Sequence, residues 1–594
     1  MTGSPPAPAF ISEFMLIFLL DIHPQALIMK YILLSGLMGL SVVLFKTRTA
    51  SHARQSAAVI ECAPPETNLL PDVNGRYIPA LTGWGHHVFT ISTKQDSAQF
   101  FFNQGINLYF SYHLKDAQAS FMEAARYDST TAMAYWGEAL AMGPYYNSYF
   151  YSMKPGVPAA LAAMARHRQG ATEKENKLMD AMQKRYSADF TNADRVALDK
   201  AYAAALADLI RQYPDDDDIK VLYIDAVMLE HKWDLWLTDG TPKPWTPELV
   251  TLCEGILKRN PRHPAAMHYY IHLTEASRTP ELALPYADML KDEMPGVGHM
   301  VHMSTHMYQR NGLYAKGVWV NEEANTVSNK EDLAAPMLGI GQNTILHIFA
   351  VQSFCAMDAG MYSKGLPLYS RARERCIAAK PPFEQDPYSQ FIYMLPAIAN
   401  VRFGKWDEIM HASAPDARWK YAAILDHFAR GMANVRQNDL AAAGAHLDGI
   451  RANLGDSLLN IRLMPFDKPA QCGRVAAGIL QGEIALQEGK QDAAITALKQ
   501  AMATEDSLIY REPQQWFLPA RQYLGACLLK ANLPSEAEGF YRQDLVRNPG
   551  NGWSLLGLCQ SLEAQHKSDE AAAVRAKYNK AFEAADVSPA ASVF

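Results

Sequence analysis

The sequence lacks the paired cysteines and the basic runs that reveal many functions. Its seven cysteines are scattered without a CxxC pair, so neither a disulfide framework nor a zinc ribbon is indicated. We expect buried thiols in helical cores, although Cys355 and Cys376 could bridge two helices in an oxidising compartment. Charged residues make up 20% of the 594 and the net charge is -7, so no nucleic-acid partner is expected.

Short catalytic motifs are also missing. The HExxH pattern fails because Tyr269 follows His268, and no GxSxG elbow, P-loop or GxGxxG fingerprint occurs. These absences remove the motif-based grounds for assigning a zinc protease, an α/β-hydrolase, a P-loop NTPase or a dinucleotide enzyme.

The N-terminal region predicts export. Met29 and Lys30 precede an apolar run over residues 31–45, which is short for a membrane span. We therefore interpret residues 1–28 as an upstream extension and residues 29–55 as the signal peptide of an exported, periplasmic or extracellular protein. Basic residues after the run leave a retained membrane anchor as the alternative.

Apolar residues recur at helical spacing almost throughout, strands are hard to find, and glycine or proline punctuates the chain every 12 to 18 residues. This pattern predicts stacked helical hairpins. Small residues repeat with spacings of 12 and 7 in two distant segments: Gly105, Ala117 and Ala124, then Gly482, Ala494 and Ala501. We expect two helices to touch closely at each of them.

The C-terminal segment resembles the tetratricopeptide repeat, a helix-turn-helix unit. The residues that carry this resemblance are Leu524, Gly525, Ala537, Pro549, Trp553, Leu556 and Gly557. The wider chain is similar to a little-characterised group of bacterial exported repeat proteins through segments such as LTGWGHHVFTIST and HPAAMHYYIHLTEAS. The resemblance implies an all-α fold, a tetratricopeptide-like α-α superhelix (solenoid) with a concave ligand groove.

The repeat pattern also predicts the division of the chain. After residues 1–28 and 29–55 we expect a loop-rich segment (56–97), N-terminal repeats (98–250), histidine-rich central repeats (251–380), degenerate helical repeats (381–470), C-terminal repeats (471–586) and a disordered tail (587–594).

The central repeats contain a cluster of histidines in register. His268 and His302 are 34 residues apart, as are His272 and His306. His268, His272 and Glu275 share one helical face, and His299, His302 and His306 share another. The resemblance implies that all six face the groove, with His347 of the next unit as a seventh candidate.

This residue set predicts a transition-metal site. Neutral imidazole binds copper, zinc, iron and nickel, and a neighbouring carboxylate extends the choice to manganese. Five histidines and one glutamate exceed one tetrahedral shell, which favours two metals or one metal with outer partners. Three histidines per metal would also suit a copper pair that handles dioxygen. Glu275 is either a ligand or the general base of a hydrolytic reaction.

Other residues are expected to shape the same groove. The candidates for substrate binding are His86, His87, Tyr269, Tyr308, Asp225 and Trp233. Core packing is the alternative role for the aromatic residues. A second segment, YREPQQWFLPAR with Arg521 and Arg542, could bind an anionic or peptide ligand.

The sequence therefore predicts an exported repeat protein that is a metal-dependent enzyme of the oxidase or hydrolase type, or a metal-binding protein. The ligand would be a small molecule or a peptide in the groove. Three alternatives stay open: a histidine-lined groove without metal, a structural histidine network, and a non-catalytic scaffold that binds a protein partner.

Overall fold

The computed structural model describes residues 69–148, 151–190, 194–334, 342–463 and 467–594. The predicted extension and signal segment lie outside these ranges. Within them the chain forms 25 α-helices and no strand, so the prediction of an all-α fold is confirmed. Among the described residues, no helix combines the length and apolar character needed to cross a membrane.

The first half of the array contains twelve helices. They are α1 (Asp96–Phe110), α2 (Leu114–Tyr127), α3 (Ala132–Ala141), α4 (Val157–His167), α5 (Glu173–Lys184), α6 (Arg195–Gln212), α7 (Asp217–Glu230), α8 (Thr246–Arg259), α9 (Pro264–Thr274), α10 (Leu284–Glu293), α11 (Gly298–Arg310) and α12 (Tyr314–Ala334).

The second half contains thirteen. They are α13 (Gln342–Asp358), α14 (Leu366–Ala378), α15 (Pro387–Tyr393), α16 (Leu395–Arg402), α17 (Trp406–His411), α18 (Lys420–Arg436), α19 (Leu440–Leu454), α20 (Pro469–Gln487), α21 (Gln491–Asp506), α22 (Ala520–Lys530), α23 (Pro534–Arg547), α24 (Gly552–Ala564) and α25 (Ser568–Ala581). Most consecutive helices pack against each other.

The spacing of small residues has a direct packing cause. The ring of Tyr541 on α23 lies between Gly525 on α22 and Gly557 on α24, and a Cβ at either glycine would come within 2.4 Å of that ring. In the N-terminal repeats Phe121 lies between Gly105 and Gly137 in the same way. Each aromatic ring therefore requires a glycine on both flanking helices.

The C-terminal tail is packed, which corrects the expectation of a disordered segment over residues 587–594. Phe594 packs on Trp553 with ring centroids 5.8 Å apart, and its carbonyl accepts a hydrogen bond from Arg436 at 2.8 Å. Ser592 is fully buried and bonds the Tyr541 hydroxyl at 2.6 Å. Apolar and hydrogen-bonded contacts order the tail, although its local sequence forms no helix.

The histidine-rich helix α11 lies where two apolar cores meet. One core contains residues between Ile78 and Met307, and the other contains residues between Tyr314 and Ala584. Gly312, directly after α11, approaches the turn at Pro549 and Gly550 so closely that a Cβ at position 312 would lie 2.4 Å from the Pro549 carbonyl oxygen. The C-terminal repeats therefore pack against the end of the histidine-rich helix.

Candidate metal centre

Two fully buried helices supply most of the histidines. His263 and Pro264 begin α9, where the His263 side chain accepts a hydrogen bond from the amide of Ala266. Every residue of α9 and of α11 is buried. Because a helix buried on all sides cannot direct its polar groups to water, its imidazoles need partners inside the protein.

The first histidine trio consists of His268 and His272 on α9 and His299 on α11. One ring nitrogen of each lies within 4.8 Å of one ring nitrogen of the others. The Nε2 atoms of His268 and His299 are 3.3 Å apart. The ring of Tyr112 covers this trio, with its centroid 4.6 Å from that of His268 and 5.8 Å from that of His299.

The second trio consists of His302 and His306 on α11 and His347 on α13. Their ring nitrogens meet the same 4.8 Å limit, and the Nε2 atoms of His302 and His306 are 3.1 Å apart. The sequence grouped the histidines by helix. The structure instead divides the histidines of α11 between two neighbours, because His299 meets His268 of α9 whereas His302 and His306 meet His347 of α13.

Four of the six rings have their Nδ1 atoms occupied by acceptors. His268 Nδ1 lies 2.6 Å from the Phe110 carbonyl oxygen, and His302 Nδ1 lies 2.7 Å from Asn321 Oδ1. Glu275 serves two rings, with Oε1 at 3.0 Å from His272 Nδ1 and Oε2 at 2.8 Å from His306 Nδ1. Since these oxygens accept, each Nδ1 carries the proton, and each Nε2 presents a lone pair.

The facing Nε2 atoms of His302 and His306 are thus two lone pairs 3.1 Å apart. A proton between them would require one ring to be cationic. Burial opposes that charge and lowers the pKa of both His302 and His306 to about 4. His272 Nε2 is buried without a hydrogen-bond partner, and burial lowers the pKa of this ring to about 3. These nitrogens have the neutral, unprotonated form that a metal ion requires.

A carboxyl pair lies beside the second trio. One carboxyl oxygen each of Glu275 and Glu512 lies within 4.8 Å of the other and of a nitrogen of His306. Burial, together with repulsion from Glu275, raises the pKa of Glu512 well above its usual value. Burial also raises the pKa of Glu275, but its bond to His306 opposes this rise. Of the two carboxyl groups, Glu512 therefore has the more strongly raised pKa.

A cavity of about 960 Å³ reaches the centre from one side. Of the six histidines in the two trios, only His272 lines it, together with Glu275, Glu512 and Trp233. The sequence predicted that all these histidines face an open groove. The structure instead buries five of the six trio histidines and half-buries His347, and the ring of Tyr112, in the turn after α1, covers the first trio.

The predicted substrate-binding residues have varied positions. Trp233 lines the cavity. Asp225 is buried and accepts hydrogen bonds from Tyr269 at 3.2 Å and from Tyr109 at 2.6 Å, so these groups support the wall behind the first trio. Tyr308 bonds Asp288 at 2.5 Å and belongs to a separate apolar cluster, so it does not reach the cavity.

The two loop histidines are likewise absent from the cavity lining. His86 Nδ1 lies 2.8 Å from Glu293 Oε1. His87 Nε2 lies 2.8 Å from Asp218 Oδ1, and its ring centroid lies 4.3 Å from that of His263, with the rings tilted. The six cysteines described are free and buried, as expected.

Sequence reasoning missed Glu512, Asn321, Tyr112 and the Phe110 carbonyl. The segment around Glu512 did stand out, but as a separate anion-binding candidate. Nothing in the spacing of Asn321 or Tyr112 relates them to the histidines, since both meet the cluster only through helix packing.

Comparisons with known proteins add little. No family model matches the chain, and no curated protein matches it. Among solved structures, the human IFIT1 dimer with m7Gppp-AAAA has 11% identity and a TM-score of 0.29, covering 83% of this chain and 91% of that chain. Yeast Tom70 has 11% identity and a TM-score of 0.27, covering 80% and 90%. Such low similarity gives no ground for a shared function.

Proposed function

We propose that this protein binds a pair of transition-metal ions, one on each histidine trio, and acts as a metal-dependent enzyme of the oxidase or hydrolase type. The observation that carries the proposal is the pair of opposed Nε2 atoms in each trio, at 3.1 Å and 3.3 Å. In the second trio the Nδ1 protons of both rings are already bound elsewhere. Two facing lone pairs repel each other, and a metal ion between the rings would coordinate both of them.

The donor set favours metals that accept imidazole. Three neutral histidines per ion suit copper, zinc or iron. Because both oxygens of Glu275 lie against Nδ1 atoms, Glu275 orients one ring of each trio instead of serving as the predicted ligand. This argument weakens the case for manganese, which prefers oxygen ligands. A pair of such ions would supply Lewis-acid or dioxygen chemistry.

The centre also has the surroundings of a reaction site. His272 and Glu275 connect the trios to the cavity, and beside them lies Glu512, whose pKa is raised by burial and by repulsion from Glu275. A ligand in the cavity would therefore meet one ring of the first trio and a carboxyl group that can donate a proton. This position supports Glu512, in addition to Glu275, as a group for acid-base chemistry.

A peptide-binding scaffold is the rival function, and helical repeat arrays commonly serve in that way. A scaffold would need its recognition residues on an accessible surface. Here His268 and His302 are 0% exposed, which favours the metal proposal over peptide recognition by the histidines.

Elemental analysis tests the proposal. The protein would be purified without chelator or nickel resin and compared with His268→Ala, His302→Ala and the double variant. We expect about two metal equivalents in the unsubstituted protein, about one in each single variant and none in the double variant.

A matched control is the double variant His427→Ala/His446→Ala, whose ring nitrogens also lie close together, at 2.9 Å, but outside both trios. It should keep about two equivalents. Metal-free wild-type protein that stays metal-free after incubation with copper, zinc and iron would refute the proposal. Loss of the same metal in the control would refute the assignment to these residues.

A further inference from the structure

The cavity beside the metal centre has an unusual concentration of arginine. Arg278, Arg310, Arg521 and Arg547 line it from two distant parts of the chain. Arg278 follows α9, and Arg310 is the last residue of α11. Arg521 belongs to α22 and Arg547 to α23. The wall is thus built where the central and C-terminal repeats meet, next to His272 and Glu275.

Two of these cations are buried, Arg521 at 6% exposed and Arg310 at 7%. Arg310 donates to three main-chain carbonyls, those of Glu275 at 2.7 Å, Arg547 at 2.8 Å and Ser277 at 3.1 Å. Among the described residues it forms no ion pair. A buried guanidinium without a paired carboxylate is costly, and an anionic ligand would relieve that cost.

The neighbouring arginines share few carboxylates. Arg278 donates to the carbonyls of Asp239 and Thr238, and repulsion from Arg547 and Arg310 adds to partial burial in lowering its pKa. Arg521 and Arg547 share one carboxylate, since Arg521 pairs with Asp506 at 2.5 Å and Arg547 pairs with it at 3.2 Å. Glu275 and Asp544 also line the cavity, so these four arginines outnumber the carboxyl groups of Asp506, Glu275 and Asp544 by one.

The adjacent Glu505 does not correct this imbalance. Burial raises its pKa to about 8, so it is largely neutral at physiological pH. Burial and repulsion from Glu275 also raise the pKa of the Glu512 carboxyl group, on the same wall, well above its usual value. Around Arg310, arginine side chains therefore outnumber the carboxylates that oppose them.

Aromatic side chains form the part of the cavity nearest the metal centre. Trp233 packs on Tyr146 with ring centroids 4.8 Å apart, and Tyr146 lies 5.1 Å from the ring of His272. On the other side, the guanidinium of Arg310 lies 5.3 Å from the ring centroid of Tyr510. A flat ligand would therefore find aromatic surfaces between the arginines and His272.

We propose that this cavity binds a small aromatic carboxylate. Its carboxylate pairs with Arg278, Arg310 and Arg547, and its ring packs against Tyr146 and Trp233 beside His272. The distance between the two subsites is short, because Arg310 bonds the carbonyl of Glu275 while the Glu275 carboxylate bonds His272. As a substrate assignment this rests on the proposed metal function, but binding itself does not require the metal.

Isothermal titration calorimetry tests the proposal with 4-hydroxybenzoate as the probe, on the full chain. Neutral 4-methylphenol and inorganic phosphate are the comparison probes. We expect 4-hydroxybenzoate to bind more tightly than either, since only it offers both the charge and the ring. Equal affinity for 4-methylphenol would overturn the role of the arginines. Tighter binding of phosphate would overturn the aromatic class.

Substitutions of the cavity arginines test whether they bind the carboxylate. Arg278→Gln and Arg547→Gln should each weaken 4-hydroxybenzoate binding roughly tenfold through loss of a charge-assisted hydrogen bond, with Arg278→Lys intermediate. The exposed Arg418, which pairs with Asp416 at 2.6 Å outside the cavity, gives the control Arg418→Gln. Thermal melts verify that each variant is folded, and unchanged affinity in both cavity variants would overturn the proposal.

The same titrations separate this inference from the metal proposal. The His268→Ala/His302→Ala double variant should bind 4-hydroxybenzoate within about threefold of the unsubstituted protein, because neither residue lines the cavity. Anion binding without any metal in the protein would leave this inference standing while the metal proposal fails. Metal binding without binding of 4-hydroxybenzoate would support the metal proposal and overturn this inference.

Discussion

At the scale of single residues, one carboxylate organises much of the centre. Glu275 is 2% exposed and accepts from the Nδ1 atoms of His272 and His306, one ring from each trio. Its two oxygens fix both tautomers and both ring orientations. Each trio therefore depends on a residue that we expect to contact neither metal.

Replacing Glu275 by glutamine tests that dependence. The amide has one acceptor oxygen, so one of the two rings loses its partner. We expect metal affinity to fall roughly 10- to 100-fold, as for other outer partners of metal ligands, measured by competition with a chelator of known affinity. The control Glu483→Gln changes another buried carboxylate, which pairs with Arg436 at 2.7 Å. An unaltered affinity in Glu275→Gln would contradict the orienting role.

Asp358 predicts a pH dependence of stability. It is 2% exposed, and burial raises its pKa to about 7 against the attraction of Arg402. In the unfolded chain the carboxyl ionises from about pH 4. Between pH 4 and 7 the unfolded state therefore loses its proton first, and this group destabilises the fold as pH rises, by at most ~1.4 kcal/mol per pH unit.

The substitution Asp358→Asn removes this contribution. Its free energy of unfolding, measured by denaturant titration at intervals from pH 4.5 to 8, should improve relative to the unsubstituted protein as pH rises to 7 and then run parallel. A difference that is constant across the whole range would show that Asp358 does not titrate as described.

At the scale of helices, glycine and aromatic residues set the hairpin packing. Gly557 on α24 faces the ring of Tyr541, and a Cβ there would lie 2.2 Å from a ring carbon. Gly539 on α23 has no heavy atom within 4 Å of its Cβ position. The two glycines thus differ in packing, although both are helical.

Gly557→Ala and Gly539→Ala should have opposite effects. We expect the first to destabilise the protein by about 1–3 kcal/mol through overpacking. The second should stabilise it by up to about 1 kcal/mol through helix propensity. Denaturant unfolding of both variants measures the difference. A stabilised Gly557→Ala would indicate that Tyr541 can move without loss of packing.

At the scale of the whole molecule, distant segments meet and close the array. Phe594, the last residue, contacts Gly404 just after α16 and Arg436 at the end of α18. Asp586, just before them, accepts from the amides of Tyr362 and Lys364 at 2.6 Å and 2.8 Å. The last residues thus link the C-terminal repeats to the central ones.

Deletion of residues 587–594 tests this link. It leaves Asp586 in place but removes the partner of the Tyr541 hydroxyl and uncovers Trp553. We expect a loss of roughly 1–3 kcal/mol in stability from the unsatisfied hydroxyl and the exposed ring, measured by denaturant unfolding. Metal content should be unchanged, since no residue of the trios contacts the tail. An unchanged stability would indicate that the tail packs only weakly.

Sequence periodicity determined the local structure of this protein. The recurrence of apolar residues predicts helices, and the 12- and 7-residue spacings identify the positions where helices touch, because both depend on neighbours close in the chain. The same reasoning identified the histidines, since residues three and four apart share a helical face. It also predicted a transition-metal site with imidazole ligands, because the type of side chain alone determines which metals it prefers.

Tertiary structure decided how these residues combine. Only the packing of α11 between α9 and α13 assigns His299 to one trio and His302, His306 and His347 to the other. Only closure of the array brings Glu512, Arg521 and Arg547 to the cavity beside His272, and only the turn after α1 covers the first trio with Tyr112. The contacts made by Tyr112 and by the C-terminal repeats join residues more than 100 positions apart, and no local propensity or spacing encodes such an encounter.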